Sequence, residues 1–184
     1  MITLSRSVLV DAPIERVFAL IADARARAAL SPHTKVVRVD VEGGGTLRAG
    51  SVCRFVLKRG AQKIEYRMRV TEFKTNERIV SVAETTVPFT VRIETRAEGG
   101  GTRLTQTESF EPTEGMLRDA LSESESRSLM RVVSRMLLWM DSDAALRLRA
   151  RQEEQLRELL ERRLDDWLRA IKVALETESD RSKP

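Results

Sequence analysis

The residues that could carry chemistry in this sequence are few, and they stand apart from one another. The only histidine, His33, lies in a Ser-Pro-His-Thr segment without the neighbouring acid or nucleophile that a catalytic histidine requires. The only cysteine, Cys53, stands beside Phe55 and Leu57 in an apolar strand pattern, where a thiol acts as a small buried hydrophobic group. One histidine and one cysteine cannot form a zinc site without several carboxylates. We therefore expect no metal and no cofactor.

Four other polar side chains fall among apolar residues in segments that alternate in polarity. Gln106 and Glu108 share a face with apolar residues of their segment, because successive side chains of a strand point to opposite faces. Tyr66 and Arg6 are placed in the same way in two other segments. Such groups on a buried face can transfer protons or orient a bound molecule. They can equally be structural, as an ion pair at a sheet edge and a tyrosine hydrogen-bonded in the core.

The elements that must position these residues are mainly strands. Seven segments alternate apolar and polar residues with a period of two, which is typical of an antiparallel sheet with one buried face. The predicted strands are residues 2–10, 35–42, 51–58, 63–73, 78–85, 88–97 and 102–110. A helix over residues 13–22, which begins with proline, and a short helix over residues 25–30 follow the first strand.

A long amphipathic helix is predicted over residues 144–176. Its apolar residues recur at helical spacing and form one stripe. The stripe consists of Leu156, Leu160, Leu164, Trp167, Leu168, Ile171 and Leu175. A sheet with one apolar face needs a cover, and this helix can supply it.

Length and composition limit the class of protein. The 184 residues, 41% apolar and 33% charged, fit one folded domain over residues 1–177 with a polar tail at 178–184. No apolar run approaches the roughly 20 residues of a membrane span, and a lone cysteine favours a reducing cytoplasm. The net charge of +4 comes from basic residues scattered among acids, with only eight aromatic residues, which argues against nucleic-acid binding.

The junction between the first strand and the first helix carries a family resemblance. Its matching residues are Val10, Ala12, Pro13, Val17, Phe18 and Asp23. In these residues and in its order of elements the sequence resembles the START-like superfamily, also called SRPBCC. That superfamily includes lipid carriers, polyketide cyclase/dehydrase-like proteins and many small bacterial proteins of unknown role. The resemblance implies an α+β helix-grip fold, in which a curved antiparallel seven-stranded sheet wraps around the long C-terminal helix and encloses a cavity.

In that fold the candidate ligand site is the inner face of the sheet together with the facing side of the helix. The candidate residues are Arg6, Phe55, Tyr66, Met68, Phe89, Val91, Gln106, Glu108, Leu164, Trp167 and Leu168. Because the first and last strands are neighbours in the superfamily, Arg6 and Glu108 are expected to pair across them. No catalytic motif is common to the superfamily, so the resemblance implies a ligand site without implying a reaction.

One segment departs from the small members of the superfamily. Residues 114–143 separate the last strand from the long helix, and an extra helical segment at 128–140 is apolar on most of its circumference. Its candidate contact residues are Leu129, Val133, Met136, Leu137 and Met140. The segment fits a lid over the cavity, a membrane-surface helix, a homodimer contact or a helix packed permanently on the core.

Three functions remain open on the sequence. The first is binding or transport of an apolar or amphipathic small molecule, such as a lipid, in the internal cavity. The second is a polyketide cyclase/dehydrase-type enzyme, in which Arg6, Tyr66 and Glu108 would be the residues to test. The third is a protein-interaction module that acts through the 128–140 helix.

Overall fold

One antiparallel sheet of seven strands organises the protein. The computed structural model describes residues 1–85, 89–117 and 142–181. The strands are β1 (Ile2–Val10), β2 (Lys35–Val41), β3 (Val52–Arg59), β4 (Gln62–Lys74), β5 (Arg78–Ala83), β6 (Phe89–Glu98) and β7 (Gly101–Phe110). They lie in the order β1-β7-β6-β5-β4-β3-β2, so the first and last strands are neighbours and β1 and β2 form the two edges. The predicted strands are confirmed, with boundaries within two residues of those expected.

Side-chain alternation gives the sheet its inner face. In β7, Leu104, Gln106 and Phe110 are buried, and the residues between them are more exposed. The register places Gln106 opposite Arg6 of β1 and opposite Ile93 of β6, so these three side chains form one row across the sheet. Register shifts in β2 and in β4 add residues to one strand of a pair, which increases local bending. The sheet is therefore curved, with its apolar face on the concave side.

Two short helices cover one end of this face. Helix α1 (Ile14–Ala22) buries Val17, Phe18 and Ile21, whose spacing forms a single stripe. The ring of Phe18 meets that of Phe73 edge-on, with centroids 5.5 Å apart. Helix α2 (Ala24–Ala29) follows at once, because Asp23 ends α1 and caps α2 with its side chain. Both helices begin within one residue of their predicted positions.

The long helix α3 (Ser142–Arg181) packs along the sheet and completes the helix-grip arrangement. Its buried residues include Leu164, Leu168 and Ile171, and they join the main hydrophobic core formed by the sheet, α1 and α2. Leu156, one end of the predicted stripe, joins a second cluster. That cluster also contains Ile2, Leu4, Phe110 and Leu117. The apolar stripe predicted for this helix is therefore confirmed.

Helix α3 also contacts the open edge of β1. Arg157 Nη1 donates to the carbonyl oxygen of Thr3 at 3.0 Å, and Lys172 Nζ donates to that of Leu9 at 2.7 Å. The backbone N–H of Asp11 donates to Glu176 Oε1 at 2.8 Å. Backbone groups on the free side of an edge strand have no partner in the sheet. Side chains of α3 supply several of those partners, which fixes the helix along the strand.

The end of the long helix lies further along the chain than the sequence suggests. Helix α3 continues to Arg181, whereas a polar tail was expected from residue 178. The polar residues there are compatible with a solvated helix, and no glycine or proline interrupts it before Pro184.

The predicted extra helix at 128–140, with Leu129, Val133, Met136, Leu137 and Met140, lies outside the described residues. Its roles as lid, interface or core helix stay predictions.

Candidate functional site

Most of the predicted apolar site residues lie in one cluster between the sheet and α3. The residues that meet there are Phe55, Tyr66, Met68, Phe89, Val91, Leu164, Trp167 and Leu168. Three aromatic rings form a row across neighbouring parts of the sheet. Phe55 stacks on Tyr66 with centroids 5.0 Å apart and planes 10° apart, and Tyr66 meets Phe89 edge-on at 5.9 Å. The row offers a flat apolar surface of the kind that small-molecule sites use.

Several of these side chains remain partly exposed although they lie on the inner face. Tyr66, Phe89, Val91 and Trp167 pack against the core only in part, whereas Phe55 and Leu168 are fully buried. A close-packed interior would bury such large side chains almost completely. The side chains of the described ranges therefore leave part of the inner face unfilled.

Gln106 and Glu108 form a polar pair within this apolar surface. Gln106 is 6% exposed, and its Nε2 donates to Glu108 Oε1 at 2.5 Å. Gln106 Oε1 is buried without a hydrogen-bond partner among the described residues. Burial raises the pKa of Glu108, and the hydrogen bond from Gln106 opposes that increase in part. Glu108 is therefore biased towards its neutral form.

Tyr66 is the second titratable group on the inner face. The pKa of its phenol is raised to about 12, mainly by burial; the positive charge of Arg27 opposes this increase, and Glu108 adds to it. The phenol is therefore protonated at neutral pH and can donate a hydrogen bond. Tyr66 therefore interacts electrostatically with both Arg27 and Glu108.

Arg6 does not pair with Glu108 as expected. The register sets Arg6 opposite Gln106 and sets Leu4 opposite Glu108. The guanidinium turns towards α3, where it contacts Glu161, and its Nε lies 3.4 Å from Asp165 Oδ2. Because β1 is an edge strand, a long side chain can reach the helix more readily than the interior of the sheet. Arg6 thus holds α3 to β1, and its charge is already balanced by two acids.

Arg27 is a site residue that the sequence reasoning missed. It lies on α2, and its side chain electrostatically affects Cys53 and Tyr66, both on the inner side of the sheet. Its Nη1 donates to the carbonyl oxygen of Ile21 at 3.0 Å, and its own carbonyl oxygen accepts from Trp167 Nε1 at 3.2 Å. The helical spacing could have indicated its position, because residue 27 lies three residues after buried Ala24 and therefore on the same face of α2.

The residues considered first for catalysis have structural surroundings. Cys53 is free, buried and part of the core, and burial raises the pKa of its thiol, which disfavours the reactive thiolate. His33 lies beside α3, where its Nε2 is 3.1 Å from Asp166 Oδ2, and both side chains are substantially exposed. This contact joins the loop after α2 to the long helix. Within the described part of the chain no group of three or more metal-ligating side chains occurs.

The buried carboxyl of Glu108 should make stability depend on pH. A carboxyl group whose pKa is raised by folding favours the folded state below its unfolded pKa, near 4.3, and loses that contribution as the pH rises through the folded pKa. Glu108→Gln removes the titration but keeps an oxygen that can accept from Gln106. We expect the variant to gain stability relative to wild type as the pH rises above about 4.3, because only the wild type must ionise a carboxyl whose pKa burial has raised.

Glu65→Gln is the matched control, because Glu65 is an exposed carboxylate on the same sheet. A hydrogen bond from Arg54 lowers the pKa of Glu65, so its contribution is present at neutral pH and lost as the pH falls. Urea unfolding of both variants against wild type across this pH range measures the difference. Equal pH trends for the two variants would contradict the assignment of Glu108 as a buried neutral acid.

Known structures with the same architecture come from several sources. The di-domain ARO/CYC protein StfQ from the steffimycin biosynthetic pathway is 13% identical, with a TM-score of 0.66 over 97% of this chain and 52% of that one. The Thermus thermophilus protein TTHA0849 is 16% identical, with a TM-score of 0.56 over 94% and 99% of the two chains. The Chromobacterium violaceum protein CV1439 is 18% identical, with a TM-score of 0.52 over 88% and 99%. At these identities the likeness concerns the fold alone.

Sequence comparison identifies the family. No curated protein matches the chain. The helices in the described ranges include none that is long and apolar enough to cross a membrane. The family model described as polyketide cyclase/dehydrase and lipid transport matches residues 1–137, which confirms the START-like resemblance. The chain therefore belongs to the polyketide cyclase/dehydrase and lipid transport family.

Proposed function

We propose that this protein binds an amphipathic small molecule between the inner face of its sheet and helix α3. The observation that carries the proposal is the incomplete burial of large side chains on a face that a helix covers. Tyr66, Phe89, Val91 and Trp167 retain accessible surface there, next to fully buried neighbours. Exposed apolar surface inside a fold is unfavourable unless something fills it.

The chemistry of the face supports an amphipathic ligand over a purely apolar one. Aromatic and aliphatic side chains form most of the surface, and Tyr66, Glu108 and Arg27 provide a few polar groups. Small-molecule sites combine a mainly apolar lining with a small number of placed polar groups. The family's cyclase and lipid-transport members accord with such a ligand.

A blocking substitution tests the proposal. The probe is N-phenyl-1-naphthylamine, a neutral apolar dye that fluoresces on entering an apolar site. Val91→Trp would fill space on the inner face, and Thr90→Trp adds the same ring to the opposite face of β6. We expect wild type and Thr90→Trp to bind the dye alike, and Val91→Trp to bind it roughly tenfold or more weakly.

Thermal unfolding of both tryptophan variants checks that each remains folded. If wild type does not bind the dye, or if Val91→Trp binds it as well as Thr90→Trp does, the inner face is not the binding site. Extraction of purified protein followed by mass spectrometry then identifies any molecule that it retains.

A second candidate function is proton transfer in a cyclisation or dehydration reaction. The observation in its favour is Glu108, a carboxyl on the inner face whose pKa burial raises towards the range useful for a general acid or base. Tyr66, with its phenol protonated, would be a hydrogen-bond donor to the same molecule. The family's cyclase/dehydrase members perform chemistry of this class.

The test compares turnover with binding. With a short poly-β-ketone thioester as substrate, Glu108→Gln should lower kcat by roughly 100-fold or more if Glu108 transfers the proton. Binding of N-phenyl-1-naphthylamine should remain unchanged, because the substitution preserves size and the Gln106 contact. Turnover that survives in Glu108→Gln would exclude this role for Glu108.

A further inference from the structure

Arg27 carries a charge that no described residue of the inner face balances by an ion pair. Most arginines of the outer sheet surface meet a carboxylate, as Arg69 meets Glu84 and Arg92 meets Glu94. Among the described residues Arg27 has no ion pair, and its one side-chain hydrogen bond goes to the carbonyl oxygen of Ile21. A guanidinium has five N–H donors arranged as a planar fork, so most of its donors remain available.

Asp23, the acidic residue whose charge acts on Arg27, is already engaged. Asp23 is exposed, and its Oδ1 accepts from the backbone N–H groups of Arg25 and Ala26 as the cap of α2. The Asp23 charge does raise the pKa of Arg27, but Cys53 and Tyr66 affect that pKa more, and burial outweighs all three and lowers it. Asp23 is therefore a helix cap rather than a counter-ion inside the site.

Two of the titratable groups that interact with Arg27 are neutral at neutral pH. Burial raises the pKa values of Cys53 and Tyr66, which keeps both groups protonated at neutral pH. Burial also raises the pKa of Glu108, a group that interacts electrostatically with Tyr66. Arg6, the other arginine of this side of the sheet, is paired with Glu161 and Asp165. Among the described residues of the inner face, Arg27 is thus a cation without a carboxylate partner, and it interacts with two groups that stay protonated.

The position of Arg27 is fixed from two sides. Trp167 Nε1 of α3 donates to its carbonyl oxygen, and Arg27 Nη1 is held on the last turn of α1. Its side chain is partly exposed, although it is surrounded by the core side chains that affect its charge. A guanidinium held in this way can accept an oxyanion with little loss of conformational entropy. Its charge interacts with Tyr66, whose ring stacks on that of Phe55.

We propose that Arg27 recognises the carboxylate of the bound molecule, so that the ligand class is a monocarboxylic acid with a flat apolar body. This inference rests on the proposed function, because it assumes that a ligand occupies the inner face. The planar fork matches a carboxylate with two parallel hydrogen bonds. A cation with no ion pair among the described residues matches a single negative charge, and the aromatic row that includes Tyr66 matches an aromatic body.

Displacement of N-phenyl-1-naphthylamine by two isosteric competitors tests the inference. The competitors are 2-naphthoate and 2-naphthamide, which differ in charge but hardly in size. For wild type we expect the acid to compete roughly tenfold or more better than the amide. Arg27→Gln should remove this preference, whereas Arg25→Gln, an exposed arginine of the same helix, should leave it intact. Decanoate and decanamide, run in parallel, report whether a flat body is preferred over a flexible one.

The outcomes separate this inference from the function on which it rests. If the dye does not bind wild type, the proposed function fails. If the dye binds but the amide competes as well as the acid, or if Arg27→Gln keeps the preference for the acid, the assignment of Arg27 is overturned while binding stands. Circular dichroism reports whether Arg27→Gln folds; if it does not, Arg27→Lys, which keeps the charge but lacks the planar fork, is measured in its place, and an undiminished preference for the acid would overturn the assignment. If decanoate competes better than 2-naphthoate, the flat body is wrong and the carboxylate is retained.

Discussion

Leu168→Ala is expected to lower the free energy of unfolding by about 2–5 kcal/mol, the range typical of large-to-small substitutions in a core. Leu168 is 1% exposed and lies where α3 meets the main hydrophobic core. The alanine variant loses the buried methyl groups and leaves a cavity that the sheet and helix can close only in part. The decrease in the free energy of unfolding measures how much the packing of α3 on the sheet contributes to stability.

Val173→Ala on the same helix is the control. Val173 is 56% exposed, so its truncation should change stability by less than about 0.5 kcal/mol. Urea unfolding followed by circular dichroism measures both variants against wild type. If Leu168→Ala costs no more than Val173→Ala, the packing of α3 on the sheet does not hold the fold together.

Gly101→Ala is expected to cost about 1–3 kcal/mol, for a reason different from the usual one for glycine in a turn. Gly99 and Gly100 have positive φ and form the turn between β6 and β7, but Gly101 does not share that conformation. A β-carbon at position 101 would clash with the carbonyl oxygen of Val10 and lie 3.3 Å from its carbonyl carbon. Since the neighbour is backbone, the end of β1 would have to move.

Gly115→Ala provides the opposite expectation. Gly115 lies in the helical turn at 114–117, where an added β-carbon meets only the hydroxyl oxygen of Thr113 at 3.8 Å. That variant should be more stable by about 0.4–1 kcal/mol, because alanine restricts the unfolded chain. Thermal unfolding of the two variants should therefore shift the melting temperature in opposite directions. A loss of stability in Gly115→Ala, or none in Gly101→Ala, would contradict this account.

The architecture follows from the sequence because it depends on periodic patterns. Alternation along β4 places Tyr66 and Met68 on one face, and the spacing of Leu164 and Leu168 places the stripe of α3. Such patterns can be recognised without knowing which elements pack together, because the sequence of each strand or helix indicates its own buried face. The same reasoning places Gln106 and Glu108 on the inner face, and their hydrogen bond is consistent with that placement.

The contacts of the polar side chains could not be predicted from the sequence, because their partners lie on other strands and helices. Arg6 was expected to meet Glu108, but it meets Glu161, which lies 155 positions further along the chain. Arg27 was missed because an arginine in a six-residue helix looks like a solvated surface residue. A long side chain can reach several places from one backbone position, so its direction depends on tertiary contacts. Patterns in the sequence therefore identify the apolar lining of the site more readily than the contacts of its charged side chains.

The contacts of α3 with β1 have a consequence for how copies of the protein meet. An uncovered edge strand can add a strand from another chain and begin aggregation. On β1, Arg157 and Lys172 occupy carbonyl groups that such a strand would need. The opposite edge, β2, carries a register shift between Val36 and Arg38 that breaks the regular ladder there. Growth by strand addition is therefore opposed at both ends of the sheet, and in one case by the same helix that covers its inner face.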